Sequence, residues 1–273
     1  MKKHLQILSI LFIIGILLSS MIIAKPNGGI SPELIQKFEQ QLKSNANDRA
    51  IMNAVSGTDL NKLTLNRELV NRHNDIFSMK IKTEGITDQK STGRCWMYAG
   101  FNIMRPSVLK KYNLASFEFS QNYLFFYDKL EKANLFLENM IATADQDLSD
   151  RILQKYLEAP VADGGWWNYF TALIDKYGAV PKEAMGETVN SEKSRNLNYI
   201  IDNLLRSDAI ILRKMVNDKA KTKDIQAKKE AMLADVYRLL VYHLGRPPQE
   251  FVWKYCDKDE KVVEKTYTPQ QFF

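Results

Sequence analysis

"QKSTGRCWMYAGF", residues 89–101, sets one of the chain's two cysteines, Cys95, between an arginine and a tryptophan. Gln89 stands six residues upstream, and an apolar run that reads as a helix follows. Cys95 could be a small buried hydrophobe, half of a disulfide, or a nucleophile. Free cysteine is among the most buried residue types and is usually inert. The neighbourhood points to chemistry instead. Gly93 permits a tight turn, and helical periodicity from Cys95 onward puts the thiol at a helix N-terminus. There the unpaired amides and the macrodipole favour the thiolate, which is the reactive form. Gln89 offers a neutral side-chain N–H to the oxyanion that forms when a carbonyl is attacked.

Composition narrows the field. The 273-residue chain is 45% hydrophobic and 11% aromatic, enough to build a core. A formal charge of +6, on 38 basic and 32 acidic residues, is mild and interspersed. In its densest stretch, "KMVNDKAKTKDIQAKKE" (214–230), lysines alternate with acids, as on a solvated helix face. A nucleic-acid surface calls for a single-sign patch with aromatic or arginine readers, and none is visible, so nucleic acid is not an expected partner. Cys95 and Cys256 do not make a disulfide framework, and His4, His73 and His243 lack a second ligand at metal-binding spacing. No metal or cofactor is expected.

The N-terminus is of another kind. Lys2 and Lys3 precede a charge-free run from Leu5 to Ala24, long enough to span a bilayer. Residues 1–24 read as a secretory leader cleaved near Ala24, with an uncleaved membrane anchor as the alternative. The expected location is therefore periplasmic or extracellular, and any membrane contact runs through this segment. Residues 25–273 are taken as the folded part.

Ser31, Pro32 and an apolar stripe of Leu34, Ile35, Phe38 and Leu42 predict a capped helix. The alternation of "IFSMKIKT" (76–83) predicts a strand. Helices are expected from Cys95 with a disturbance near Pro106, over 120–141 with Ser120 as cap, and over about 148–158. "VADGGWWNYFTALIDKYGAVP" (161–181) reads as a glycine-rich turn feeding a helix closed by Gly178 and Pro181. A long charged helical stretch follows over about 207–243, and then "FVWKYC", "DKDE" and "KVVEKTYT" read as strand, turn and strand.

The string Gln-x4-Arg-Cys-Trp is similar to the Gln…Cys-Trp box of papain-like cysteine peptidases. Two departures point to one branch. Thr92 stands where secreted papain-like enzymes carry a disulfide cysteine, and Arg94 replaces a small residue. With "STGRCWMYAGFNIMRP", "FEFSQNYLFFYDKLEKAN", "DGGWW", "KYGAVPKEAM", "GRPPQEFVWKYCDKD" and "YTPQQFF", the chain resembles the bleomycin hydrolase and bacterial aminopeptidase C family from about Ile30 to Phe273. The resemblance implies an α+β papain-like fold, mainly its helical half with the first strands of the β half. It implies Cys95 as nucleophile, Gln89 as oxyanion donor and Trp96 packed behind the nucleophile. Asp163, Gly164 and Gly165 would match the segment where substrate backbone pairs beside the cleft. Two glycines allow such an approach, and a turn leading into a helix explains them equally well.

A cysteine peptidase also needs an imidazole base and a group to orient it. The offset of roughly 130–150 residues seen in papain-like enzymes falls near His243, but His243 reads as part of a helix end. No asparagine follows Asn217. In the resembled family the histidine and asparagine lie in a later β-rich region, so the chain reads as the N-terminal portion of a larger enzyme, inactive alone. The expected function is a cofactor-free cysteine aminopeptidase acting on peptide N-termini, in a homo-hexamer by resemblance. The alternative is an exported, non-catalytic binding protein on an incomplete peptidase fold.

Overall fold

The computed structural model describes residues 28–42, 45–81, 83 and 85–273. The leader of residues 1–24, with His4, lies outside the described residues. The chain divides into two units, Met1–Phe77 and Ser78–Phe273.

In the first unit, helices α1 (Pro32–Gln41), α2 (Ala46–Gly57), α3 (Leu60–Leu63) and α4 (Arg67–Arg72) are described. Each begins where a side-chain oxygen accepts from an otherwise unpaired first-turn amide: Ser31 from Leu34, Asn45 from Asn47 and Asp48, Asp59 from Asn61, Asn66 from Leu69. The strand expected over 76–83 is absent among its described residues. Asn74 Oδ1 accepts from the Ile76 amide at 2.7 Å, and such a local turn competes with a ladder that has no partner strand.

The second unit holds α5 (Cys95–Lys111), α6 (Gln121–Ala142), α7 (Arg151–Glu158), α8 (Trp167–Tyr177), α9 (Val189–Glu192), α10 (Arg195–Asn217) and α11 (Thr222–Leu244). A hairpin of β1 (Phe251–Cys256) and β2 (Val262–Tyr267) follows, and then α12 (Pro269–Phe272). The unit is mainly helical, with this one two-stranded sheet among the described residues. Helix α6 is its axis. Tyr123, Leu124, Phe125 and Phe126 are all buried in succession, which one apolar stripe could not achieve, so neighbours must surround that turn. Helices α10 and α11 pack along α6, α8 packs on it as well, and α5 packs against α8. Ser120 caps α6 as expected, accepting from the Tyr123 amide at 3.0 Å and donating to the Met185 carbonyl at 2.5 Å.

Two sequence expectations shift. Helix α5 runs unbroken through Pro106. The charged stretch is two helices, α10 starting as early as Arg195, with a break after Asn217 at which Lys219 adopts φ 57°. The chain folds back there because both helices must lay apolar faces, through Leu205 and Leu212 and through Met232 and Val236, on one core.

The strands pair antiparallel, from Phe251 opposite Tyr267 to Cys256 opposite Val262. Phe251 and Trp253 point into the core while Val252 and Lys254 face out, the period of two that the sequence carries. Trp253 and Phe272 meet edge to face at 5.1 Å, and Phe117 joins the same aromatic cluster. Helix α12 docks against Gly178, whose φ is +73° and where an added Cβ would lie 2.3 Å from the Pro269 carbonyl oxygen. Only glycine satisfies both demands.

One buried carboxylate is poorly matched to its site. Asp208, on α10, has an Oδ2 without a hydrogen-bond partner among the described residues. Burial, reinforced by Asp235 and opposed by Lys228, pushes its pKa up to about 6. The folded state thus holds a proton that the unfolded chain has lost, and stability falls as pH rises from about 4 through 6. Asp208→Asn should raise stability at pH 7.5 by about 1 kcal/mol after solvent screening, and flatten its pH dependence between about 4 and 7. Urea unfolding of both proteins across that range checks it. Equal slopes would refute it.

Candidate active site

Cys95 is the first residue of α5, and its side chain is exposed. Arg94, at the N-cap, makes no side-chain cap, and its carbonyl accepts from the amides of Met97 and Tyr98 at 3.0 and 3.1 Å. The first amides of such a helix have no intrahelical partner and point outward beside the thiol. Behind Cys95 the chain is closed: Arg94, Met97 and Tyr98 are buried. Cys256 ends β1, also exposed, and both thiols are free.

The turn before Cys95 is tied by its own side chains. Gln89 Nε2 donates to the Thr92 carbonyl at 2.7 Å, and Thr92 Oγ1 donates to the Gln89 carbonyl at 2.9 Å. Lys90, with φ 56°, carries the chain through the turn. The Ser91 amide donates to the Glu192 carbonyl at 3.0 Å, linking the turn to the end of α9. Arg94 reaches inward, and its two terminal nitrogens form a fork on Glu187 Oε1 and Oε2 at 3.1 and 2.9 Å. Its guanidinium lies over the Phe125 ring at 4.9 Å. A bidentate pair of this kind satisfies the charge that burial would otherwise penalise.

The loop from Val161 to Trp166 folds onto this turn. The Asp163 carboxylate accepts from the Gly93 amide at 2.9 Å, Lys129 Nζ at 2.6 Å, Ser194 Oγ at 2.5 Å and Asn198 Nδ2 at 2.8 Å. Burial opposes its ionisation, but the Lys129 ammonium and the donors from Gly93 and Ser194 win and hold it well below the usual carboxylate range. Its main-chain carbonyl accepts from Trp96 Nε1 at 2.9 Å. Trp96, next to Cys95, is thereby tied to the neighbouring loop. Gly165 lies flat on the Trp96 ring, where an added Cβ would come within 2.4 Å. Gly164 has open space at the same position, and its carbonyl accepts from Lys132 Nζ at 2.8 Å. The two tryptophans that follow, Trp166 and Trp167, are 70% and 54% exposed.

The structure thus brings Gln89, Cys95, Trp96, Asp163, Gly164 and Gly165 into one connected region. Asp163 spends its carboxylate on four donors of its own chain. The partners Lys129, Glu187, Ser194 and Asn198 have no signal in sequence; Arg94 is conspicuous there only as a charge beside a cysteine. His243 lies in the last turn of α11, where its carbonyl accepts from Thr188 Oγ1 at 2.9 Å. His73 pairs with Asp75 at 3.0 Å in the other unit.

Comparison with known proteins identifies the family. The Peptidase C1-like family matches residues 29–273. Aminopeptidase C of Streptococcus thermophilus is 40% identical over 245 residues, covering 89% of this chain and 55% of its own. Bleomycin hydrolase of Mus musculus is 35% identical over 252 residues, covering 90% and 55%. The crystal structure of PepW from Lactobacillus rhamnosis HN001 superposes with a TM-score of 0.84 at 42% identity, over 90% of this chain and 55% of that one. The chain spans about half the length of the curated relatives it matches. With the match running over residues 29–273 and the Cys95 turn inside it, the chain belongs to the Peptidase C1-like family.

Proposed function

We propose that this chain carries the nucleophile half of a cysteine aminopeptidase that cleaves residues from peptide N-termini. One observation supports this most: an exposed thiol at the first position of α5, beside a turn that holds Gln89 by two hydrogen bonds. The sulfur would attack the scissile carbonyl carbon and form a C–S bond. The carbonyl oxygen, now negative, would take the helix-terminal amide and the Gln89 N–H that Thr92 leaves unused. Collapse of that intermediate breaks the C–N bond as the leaving amine takes a proton, and water then releases the acyl group. The apolar faces of Trp166 and Trp167, beside the glycine pair, suit substrate side chains. Names such as aminopeptidase C and bleomycin hydrolase among the relatives support the reaction class.

The thiol proton needs an imidazole, and we assign that role to a residue other than His243, which ends helix α11 in its last turn, a position that a dipole-facing histidine explains. We further propose that residues 1–24 export the chain and that it works as a homo-oligomer. The lysine pair and charge-free run support the first point, and the family resemblance supports the second.

Expressed alone, residues 25–273 should hydrolyse no aminoacyl-naphthylamide above background. Turnover that Cys95→Ala leaves intact would sink the nucleophile assignment, and turnover abolished by His243→Ala would make His243 the base. In a chain completed by the part of its relatives that the match leaves uncovered, Cys95→Ala should abolish hydrolysis. Gln89→Ala there should lower kcat by about two to three orders of magnitude, the loss that removal of an oxyanion donor brings. A reporter active only outside the cytoplasm, fused after residue 30, should give signal; a cytoplasmic product with an intact N-terminus would refute export.

A further inference from the structure

The turn before Cys95 contains a directional chain of hydrogen bonds that ends on Gln89. It starts at α9, where Ser191 Oγ donates to Glu187 Oε2 at 2.5 Å. Glu187 holds the Arg94 fork, which leaves the guanidinium no freedom to rotate. A further donor, Arg94 Nε, points to Thr92 Oγ1 at 3.1 Å. An arginine nitrogen can only donate, so it takes a lone pair of the hydroxyl and leaves the hydroxyl proton to be given elsewhere. That proton goes to the Gln89 carbonyl, at 2.9 Å. The Thr92 carbonyl in turn accepts from Gln89 Nε2 at 2.7 Å. Gln89 is thus gripped at both its backbone and its side chain by a single residue. Its amide is oriented so that one N–H is spent on Thr92, and the other is fixed in direction by the planarity of the group.

We propose that Thr92 is a positioning residue for Gln89, with its hydroxyl polarised in the required sense by the buried Arg94–Glu187 pair. The proposal rests on the reading of Cys95 as nucleophile and Gln89 as oxyanion donor. Thr92 touches no reacting atom. It acts by fixing where the Gln89 N–H lies before any oxyanion forms, so that no reorganisation is needed as charge develops. Burial makes the device stiff: Arg94 is fully buried and the Glu187 side chain is 14% exposed. The Thr92 hydroxyl both accepts, from Arg94, and donates, to Gln89, and valine removes both functions while keeping the side chain's shape.

The test separates chemistry that develops an oxygen anion from chemistry that does not. In the 25–273 chain with Cys256→Ser, a peptide aldehyde adds to Cys95 as a hemithioacetal. The thiol proton passes to solvent, the sulfur forms the C–S bond, the C=O π pair moves to oxygen, and that oxygen occupies the oxyanion position before it takes a proton from solvent. Iodoacetamide alkylates the same sulfur by displacing iodide, and creates no oxyanion. Thr92→Val should lower aldehyde affinity, taken relative to the alkylation rate of the same protein, by about ten-fold, the effect of misplacing one hydrogen-bond donor. Thr92→Ser, which restores the hydroxyl, should recover that ratio to within about two-fold. Glu187→Gln keeps side-chain volume but weakens the fork, and should move the ratio in the same direction as Thr92→Val; it also carries the test if Thr92→Val unfolds. An unchanged ratio in folded Thr92→Val or Glu187→Gln, or no recovery in Thr92→Ser, overturns the positioning role alone. Unmodified protein that is alkylated but captures no aldehyde overturns the donor role of Gln89, and the proposal with it. If Cys95 reacts with neither reagent, the nucleophile reading itself fails and takes the proposal down.

Discussion

The Asp163 carboxylate is where the elements of the site are joined. Gly93 brings the turn before Cys95, Lys129 brings the central helix α6, and Ser194 and Asn198 bring the start of α10. The main chain at the same residue takes the Trp96 indole. Burial pulls the Lys129 ammonium toward neutrality, against Asp163 and Asp128. The carboxylate's direction governs the pair, because three donors besides lysine stabilise its ionised form. A charge held this way is costly to uncouple. Removing one partner of a buried pair costs about 3–5 kcal/mol, since the other is left without water or counter-charge.

Arg94 and Glu187 solve the same problem on the opposite side of the turn. The fork, the Phe125 and Tyr98 rings and the Thr92 hydroxyl surround the guanidinium. By resemblance, Thr92 stands where secreted papain-like enzymes place a disulfide cysteine. A disulfide constrains chain entropy but carries no direction, whereas a hydrogen-bond chain fixes the orientation of each donor in it. The exchange of a covalent tie for a polar one therefore alters what the turn can control.

What the sequence disclosed and what it hid divide by distance along the chain. Ser31 and Ser120 act on amides three residues away, and the alternation over 251–256 is settled between adjacent strands, so local pattern sufficed for these. Cys95 at a helix start is likewise local. Arg94 and Glu187 are 93 positions apart, and Lys129 and Asp163 are 34 apart. Neither pair has a spacing rule that would unite it. The turn between α10 and α11 was hidden for another reason: it contains no glycine or proline, and lysines alternating with acids read the same on one helix or on two. The 76–83 segment errs the opposite way, since alternation specifies a strand only when another strand accepts its ladder.

The glycine pair shows how a local signal can be sound and its cause still misread. Close approach by another backbone and a turn leading into a helix both explain "DGG" in sequence. In the structure Gly165 is required for a third reason, the Trp96 ring lying where its Cβ would be. Gly164 alone keeps open space. The tryptophan beside the cysteine and the second glycine are thus one feature, separated in sequence and joined by packing. Asp163, next to both, holds that contact at the distance where the indole N–H reaches its carbonyl. The Cys95 side chain itself is held by none of these bonds. It stands exposed at the start of α5 while its neighbours are fixed, Arg94 by the Glu187 fork and Trp96 by the Asp163 carbonyl, so the thiol's place is set by bonds that it does not itself make.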